Sequence, residues 1–381
     1  MTASLEMPTM RRPTVRATDN RLLINVLLLA LTFFVLLNFY FVYQMRAGGS
    51  KIALGPASPP PRIEMTMITV PDCPDCTSLD NLAGIVRARK VNITGENRIS
   101  WMSPAGKEIL AQYNLTRAPA IIITGETQSL FIEPFWRLKD ALVLTNAPPP
   151  YIDVRSGEVK GKVDLIVISQ KTCKECFSLD NSVSQIKDAI LVKETITLDA
   201  DDAAAKTLIE KYAIDKVPSL ILSKEAELYP IINRSWKELG TWESDGRLVL
   251  RTVPPPYIST KDRTVQGLVT ATYLVDAECK ECYNVSLHKD VLGELGLAIE
   301  NTVNVDVSTS DGKKLISEYD ITGVPTMILS KEASMYPMFM RIWPSVGSQE
   351  ADGRFVFREF DALGKIKWKD LPSAKIVGST E

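Results

Sequence analysis

The six cysteines of this 381-residue chain fall into three Cys-x-x-Cys pairs: Cys73-Pro74-Asp75-Cys76, Cys173-Lys174-Glu175-Cys176 and Cys279-Lys280-Glu281-Cys282. No cysteine lies outside a pair, so the pair is the functional unit and the chain carries it in triplicate. Two thiols at this spacing suit thiol–disulfide exchange. If the first stands at the start of a helix, unsatisfied amides and the positive end of the dipole favour its thiolate. The second, three residues on along the same face, can then attack a mixed disulfide or close an intramolecular one. Cys73, Cys173 and Cys279 are therefore the expected nucleophiles, with Cys76, Cys176 and Cys282 as resolving thiols.

The competing chemistry is half of a tetrahedral zinc site, for which two close cysteines are also a common fragment. A closed site needs four ligands, and each region supplies two. The only histidine, His288, lies six residues past Cys282, toward the far side of the expected helix. It reads as an ordinary surface or core residue. No metal and no cofactor is expected. Between the cysteines, Lys174 and Lys280 favour a neighbouring thiolate while Asp75, Glu175 and Glu281 oppose it. The three pairs are expected to differ in potential.

What positions the pairs is a repeat. Counting from the first cysteine of each, a proline opening an apolar run follows after 46, 45 and 46 residues: Ala118-Pro119, Val217-Pro218 and Val324-Pro325. Tyr229-Pro230, Trp236 and Gly240 recur 107 positions later as Tyr336-Pro337, Trp343 and Gly347. A period near 100 residues exceeds the roughly 20–50 of solenoid repeats and is the size of a domain. In each copy an apolar, β-branched run leads into the cysteines, at residues 63–70, 163–169 and 268–275. A helical stretch follows, for instance 178–190, then a strand such as 191–198. A further helix is expected over 200–214 and over 311–319, the latter capped by Asp311. The proline-led strand comes next, and Asp245-Gly246 and Asp352-Gly353 turn into what look like edge strands over 247–253 and 354–360. The first copy is the most divergent, with 29 residues from Pro119 to Pro148 against 36 from Pro218 to Pro254.

Residues 22–43 carry no charge, and at ~1.5 Å per residue a helix of that length spans a ~30 Å hydrocarbon core. Arg11, Arg12, Arg16 and Arg21 precede the run, which favours a cytoplasmic N-terminus and extracytoplasmic domains, where disulfides persist. The expected organisation is a cytoplasmic tail (1–21), a transmembrane helix (22–44), a linker (45–62), three α/β domains (63–150, 151–256 and 257–371) and a C-terminal tail (372–381). Proline triplets at 148–150 and 254–256 mark the joints. A net charge of -2 with scattered basic residues gives no stripe for nucleic acid.

A Cys-x-x-Cys after an apolar strand, with Val-Pro-Thr or Val-Pro-Ser about 45 residues later, resembles the thioredoxin superfamily, and three tandem copies resemble protein disulfide isomerases. The resemblance implies thioredoxin-like domains, each a central mixed sheet flanked by helices. It further implies that Pro119, Pro218 and Pro325 are cis and lie beside the cysteines. The backbone before them, at Ala118, Val217 and Val324, would pair with an extended substrate. The chain departs from the family in lacking a tryptophan before any pair. Met67, Val167 and Tyr273 replace the buried acid that many members carry six residues before the first cysteine. The expected function is a membrane-anchored thiol–disulfide oxidoreductase or isomerase acting on extracytoplasmic protein or peptide thiols and disulfides, renewed by a redox partner. The rival is a tethered binding, chaperone-like or metal-binding module using the same pairs.

Overall fold

The computed structural model describes residues 59–378. The apolar run expected to cross a membrane lies outside them. Among the described residues no helix is long and apolar enough to cross a membrane.

In the second copy, Val163–Ser169 runs between two cores because its side chains alternate. Val163, Leu165 and Val167 join Leu220, Leu222, Tyr229, Ile232 and Trp236 on one face of the sheet, while Ile166 and Ile168 join Ala205, Tyr212 and Ile221 on the other. The helices Asp180–Ala189 and Pro230–Leu239 supply Val183, Ile186, Ile232 and Trp236 to the first core, and Ala203–Lys211 supplies Ala205, Leu208 and Ile209 to the second. Val192–Asp199 pairs parallel with Val163–Ser169, and Ser219–Leu222 pairs antiparallel on its other side. Leu248–Leu250 and then Gly240–Trp242 complete five strands. The same order holds in the first and third copies, so the chain contains three mixed-sheet domains of thioredoxin-like topology.

Two local expectations are corrected. The segment expected as an edge strand lies inside the sheet, and Gly240–Trp242 forms the edge. Leu248, Val249 and Leu250 are all buried, as suits a strand covered on both faces. The third-copy helix Ser310–Glu318 is capped by Thr309, whose hydroxyl accepts from Gly312 N at 3.0 Å, and Asp311 sits within its first turn. Thr309 wins because its extended backbone aims the side chain back at the free amides.

The recurring Tyr-Pro and Gly now have reasons. Pro230 and Pro337 occupy the first helical turn, where a missing N–H costs nothing. A Cβ on Gly240 would stand 2.1 Å from the Val249 carbonyl oxygen, and on Gly347 2.3 Å from that of Val356. Gly240→Ala is therefore expected to cost about 1–3 kcal/mol by overpacking, measurable as a lower unfolding midpoint. The first copy has no such helix: residues 126–135 form a loop in which Ile132 and Phe135 fill its core, leaving Phe131 and Trp136 exposed.

After each five-stranded sheet the chain makes a short hairpin: Tyr151–Asp153 with Val159–Lys160, Tyr257–Ser259 with Val265–Gln266, and Lys367–Asp370 with Lys375–Gly378. Each hairpin pairs back on the two residues before the proline of its own copy. Gly161 and Gly267 close the first two hairpins at φ +90 and +88, where a side chain would strike Pro149 and Pro255. Tyr229 and Tyr336 donate their hydroxyls to the carbonyls of Gly161 and Gly267 at 2.7 and 2.6 Å. The first two hairpins are thereby fastened to the copy that follows each of them.

Candidate active site

The cysteines stand in the turn that leaves the central strand. Cys73, Cys173 and Cys279 donate their amides to the carbonyls of Val70, Gln170 and Asp276 at 3.1 Å. All three pairs are closed disulfides. The helices begin only at Leu79, Asp180 and Ser286, beyond the second cysteine, so no first cysteine stands at a helix start. The dipole's influence falls off within a turn, so local turn amides and neighbouring charges set these thiols instead. Turn-forming residues between strand and helix carry no periodicity, and their extent was hidden for that reason.

The expected prolines reach the cysteines through register. Ile68 faces Ala120, Ile168 faces Ser219 and Leu274 faces Thr326, so each proline lies where the central strand turns out to its pair. The Ala118–Pro119, Val217–Pro218 and Val324–Pro325 bonds are all cis. In the third copy Cys282 Sγ lies 3.9 Å from the Val324 oxygen. In the second, Cys173, Cys176 and Pro218 line one open cavity of about 480 Å³. Cys173 and Cys279 are half-buried, whereas Cys73 is only 5% exposed. After reduction, Cys73 is expected to react with iodoacetamide about tenfold more slowly than Cys173, because reactivity follows access as well as thiolate content. Peptide-resolved alkylation measures this, and equal rates would contradict it.

The backbone of Ala118, Val217 and Val324 is already occupied. They face Ile152, Ile258 and Lys369 of the hairpins. Val154 N donates to Thr116 O, Thr260 N to Asp215 O and Leu371 N to Thr322 O. The alternation of an antiparallel ladder makes the facing pair two residues on a hydrogen-bonded one as well. The near end of each hairpin is held by the residue after the second cysteine: Thr77 N donates to Pro150 O, Phe177 N to Pro256 O and Tyr283 N to Lys367 O. Nothing in composition revealed this, although Tyr-Ile after both proline triplets was a repeat that could have prompted it.

Charge around the pairs differs by copy. Lys162 pairs with Asp75 at 2.7 Å and Lys367 with Glu281 at 2.6 Å, offsetting the acids that oppose a thiolate. Met67, Val167 and Tyr273 are buried in the sheet and place no carboxylate beneath the cysteines. The third copy instead buries Asp276, three residues before Cys279, against Lys369 at 2.5 Å. Its carboxyl is held below the usual range, first by that hydrogen bond. Sequence reasoning missed Asp276 because its counterparts are Val70 and Gln170. His288 is buried at 2% exposure. Tyr283 O–H donates to the Pro325 carbonyl at 2.7 Å and accepts from His288 Nε2 at 2.9 Å. Burial pushes the histidine down to about 4 and the Tyr283 hydroxyl well above its ordinary value. Among the described residues no cluster of three or more metal-ligating side chains is present.

No protein-family model and no curated protein matches the chain. Among solved structures, it is similar to the alkylhydroperoxide reductase component AhpF of Enterococcus faecalis at 17% identity, covering 45% of this chain and 82% of that one with a TM-score of 0.14. Full-length ERdj5 matches at 8% identity over 73% of this chain and 42% of that one, with a TM-score of 0.16. Human ERp44 matches at 10% identity over 79% and 80%, with a TM-score of 0.16. The chain's own strand order, cysteine turns and proline register define its fold.

Proposed function

We propose that this chain of three thioredoxin-like domains is a thiol–disulfide oxidoreductase, anchored in a membrane by residues 22–44 and working on the extracytoplasmic side. The observation that carries the redox reading is the second pair: Cys173 and Cys176 form a disulfide on the wall of an open cavity, where a thiol can reach the sulfurs. A purely structural disulfide gains nothing from such access. The third pair shares the half-buried placement and a carbonyl contact at Cys282. The uncharged run and its flanking arginines support the anchor and its orientation.

The first pair is the exception. Burial of Cys73 and the missing helix of its domain favour a spacer role for that copy.

The test uses the full chain in detergent, with dithiothreitol as reductant and a disulfide as acceptor. Turnover is expected, and it should vanish when Cys73, Cys173 and Cys279 are all replaced by serine. Equal turnover by the two proteins would sink the reading.

A further inference from the structure

In each copy the chain's own hairpin fills the place where an extended polypeptide would add as a strand. The pairing residues Ile152, Ile258 and Lys369 stand opposite Ala118, Val217 and Val324. The near end of each hairpin receives the amide that follows the second cysteine. The hairpins are built into the cores: Tyr151 and Ile152 are buried, Ile258 packs with Ile214 and Val217, and Leu371 packs with Leu274 and Ile321. Recognition by strand addition needs unpaired edge groups, and this edge has none to offer beside the prolines.

What remains open at the second pair has a different chemistry. The cavity of about 480 Å³ beside Cys173 and Cys176 is lined by Lys174, Lys187, Thr195 and Thr197. Neither lysine has an ion-pair partner among the described residues. Asp180 also lines the cavity, but its carboxylate accepts from Ser178 Oγ at 2.8 Å. Within the lining two ammonium groups stand against one carboxylate, Glu175 between the cysteines lying outside it, and the hydroxyls supply neutral hydrogen bonds.

We propose that the second cysteine pair exchanges with a low-molecular-weight, carboxylate-bearing thiol or disulfide rather than with an extended polypeptide. The proposal rests on the thiol–disulfide reading above. Starting from the reduced pair and a disulfide RSSR, one thiolate attacks a sulfur of RSSR and expels RS⁻, which takes up a proton to become RSH. The other thiolate attacks the mixed disulfide and releases the second RSH. Two electrons pass from the pair to RSSR, and the protein disulfide forms. Running backward, two RSH reduce the disulfide seen here.

The test reduces the full chain in detergent and follows oxidation of Cys173 and Cys176 by peptide-resolved alkylation with three probes at equal disulfide concentration. These are oxidised glutathione, the uncharged 2-hydroxyethyl disulfide, and insulin, whose disulfides lie in polypeptide. Glutathione is expected to outpace insulin by about tenfold or more, since strand pairing is closed. Lys187→Gln is expected to slow glutathione about twofold to fivefold and leave the uncharged probe unchanged. Oxidation by insulin at the glutathione rate, or no selective effect of Lys187→Gln, would overturn the proposal while leaving exchange chemistry intact. Oxidation by none of the three would overturn the thiol–disulfide reading and the proposal together.

Discussion

A chain carrying both Cys173→Ser and Cys279→Ser is expected to exchange disulfides about twentyfold more slowly than the native chain, because a serine hydroxyl is scarcely ionised where a thiol is partly thiolate and only the shielded Cys73 is left to react. Cys73→Ser alone is expected to change turnover by less than about twofold, since that sulfur is shielded and must be uncovered before it can react. The three substitutions are nearly isosteric, so the comparison isolates nucleophilicity from packing. Steady-state turnover with dithiothreitol measures it. Loss on Cys73→Ser with retention in the double variant would reverse the assignment of roles among the copies.

The third copy is expected to lose roughly 3 kcal/mol of stability between pH ~6.5 and ~4 through His288. In the folded state burial holds the imidazole neutral down to about 4, against an ordinary value of 6.5. Across that window the unfolded chain therefore binds the proton that the folded chain refuses. Stability rises with pH wherever the unfolded state binds more protons, so it falls as the pH drops through the window and this contribution falls no further below it. The physical cost is a cation placed among Tyr273, Phe357 and the Tyr283 ring. Nε2 already donates to the Tyr283 hydroxyl that holds the Pro325 carbonyl, so protonation adds a second donor, on Nδ1, to the same buried ring. His288→Gln keeps an N–H donor without titrating. It is expected to flatten the loss, read by hydrogen exchange in the strand Thr326–Leu329 as the pH is lowered. The second copy, which has no histidine, serves as the internal control. A native third copy whose protection holds from pH 6.5 to 4 would contradict the burial argument.

Much of the architecture is legible in the sequence, and the reasons are local. The β-branched central strands show two-residue alternation, the helix over 203–211 is rich in alanine, and repetition of the cysteine-to-proline distance ties distant segments together. The site's sulfurs and prolines are found by that repeat. The errors have equally local causes. Leu248, Val249 and Leu250 are three apolar residues in a row, which tells burial on both faces but not which neighbour lies beyond them. Asp311 and Thr309 are both good caps, and only backbone direction chooses between them. The hairpins leave no pairing signal in the sequence because each attaches through two residues to a segment 34 to 47 positions earlier, a pairing with no pattern of its own. Asp276 carries no repeat signal, since Val70 and Gln170 stand in its place in the other copies.

Redox activity of the pairs is tested most directly by their equilibria with thiol buffers. The full chain in detergent, equilibrated across glutathione and dithiothreitol buffers and analysed pair by pair, gives the oxidised fraction of each. Cys173–Cys176 and Cys279–Cys282 are expected to interconvert reversibly, with midpoints that differ from one another. Disulfides that stay closed through buffers poised below about -300 mV, as structural ones do, would contradict the account.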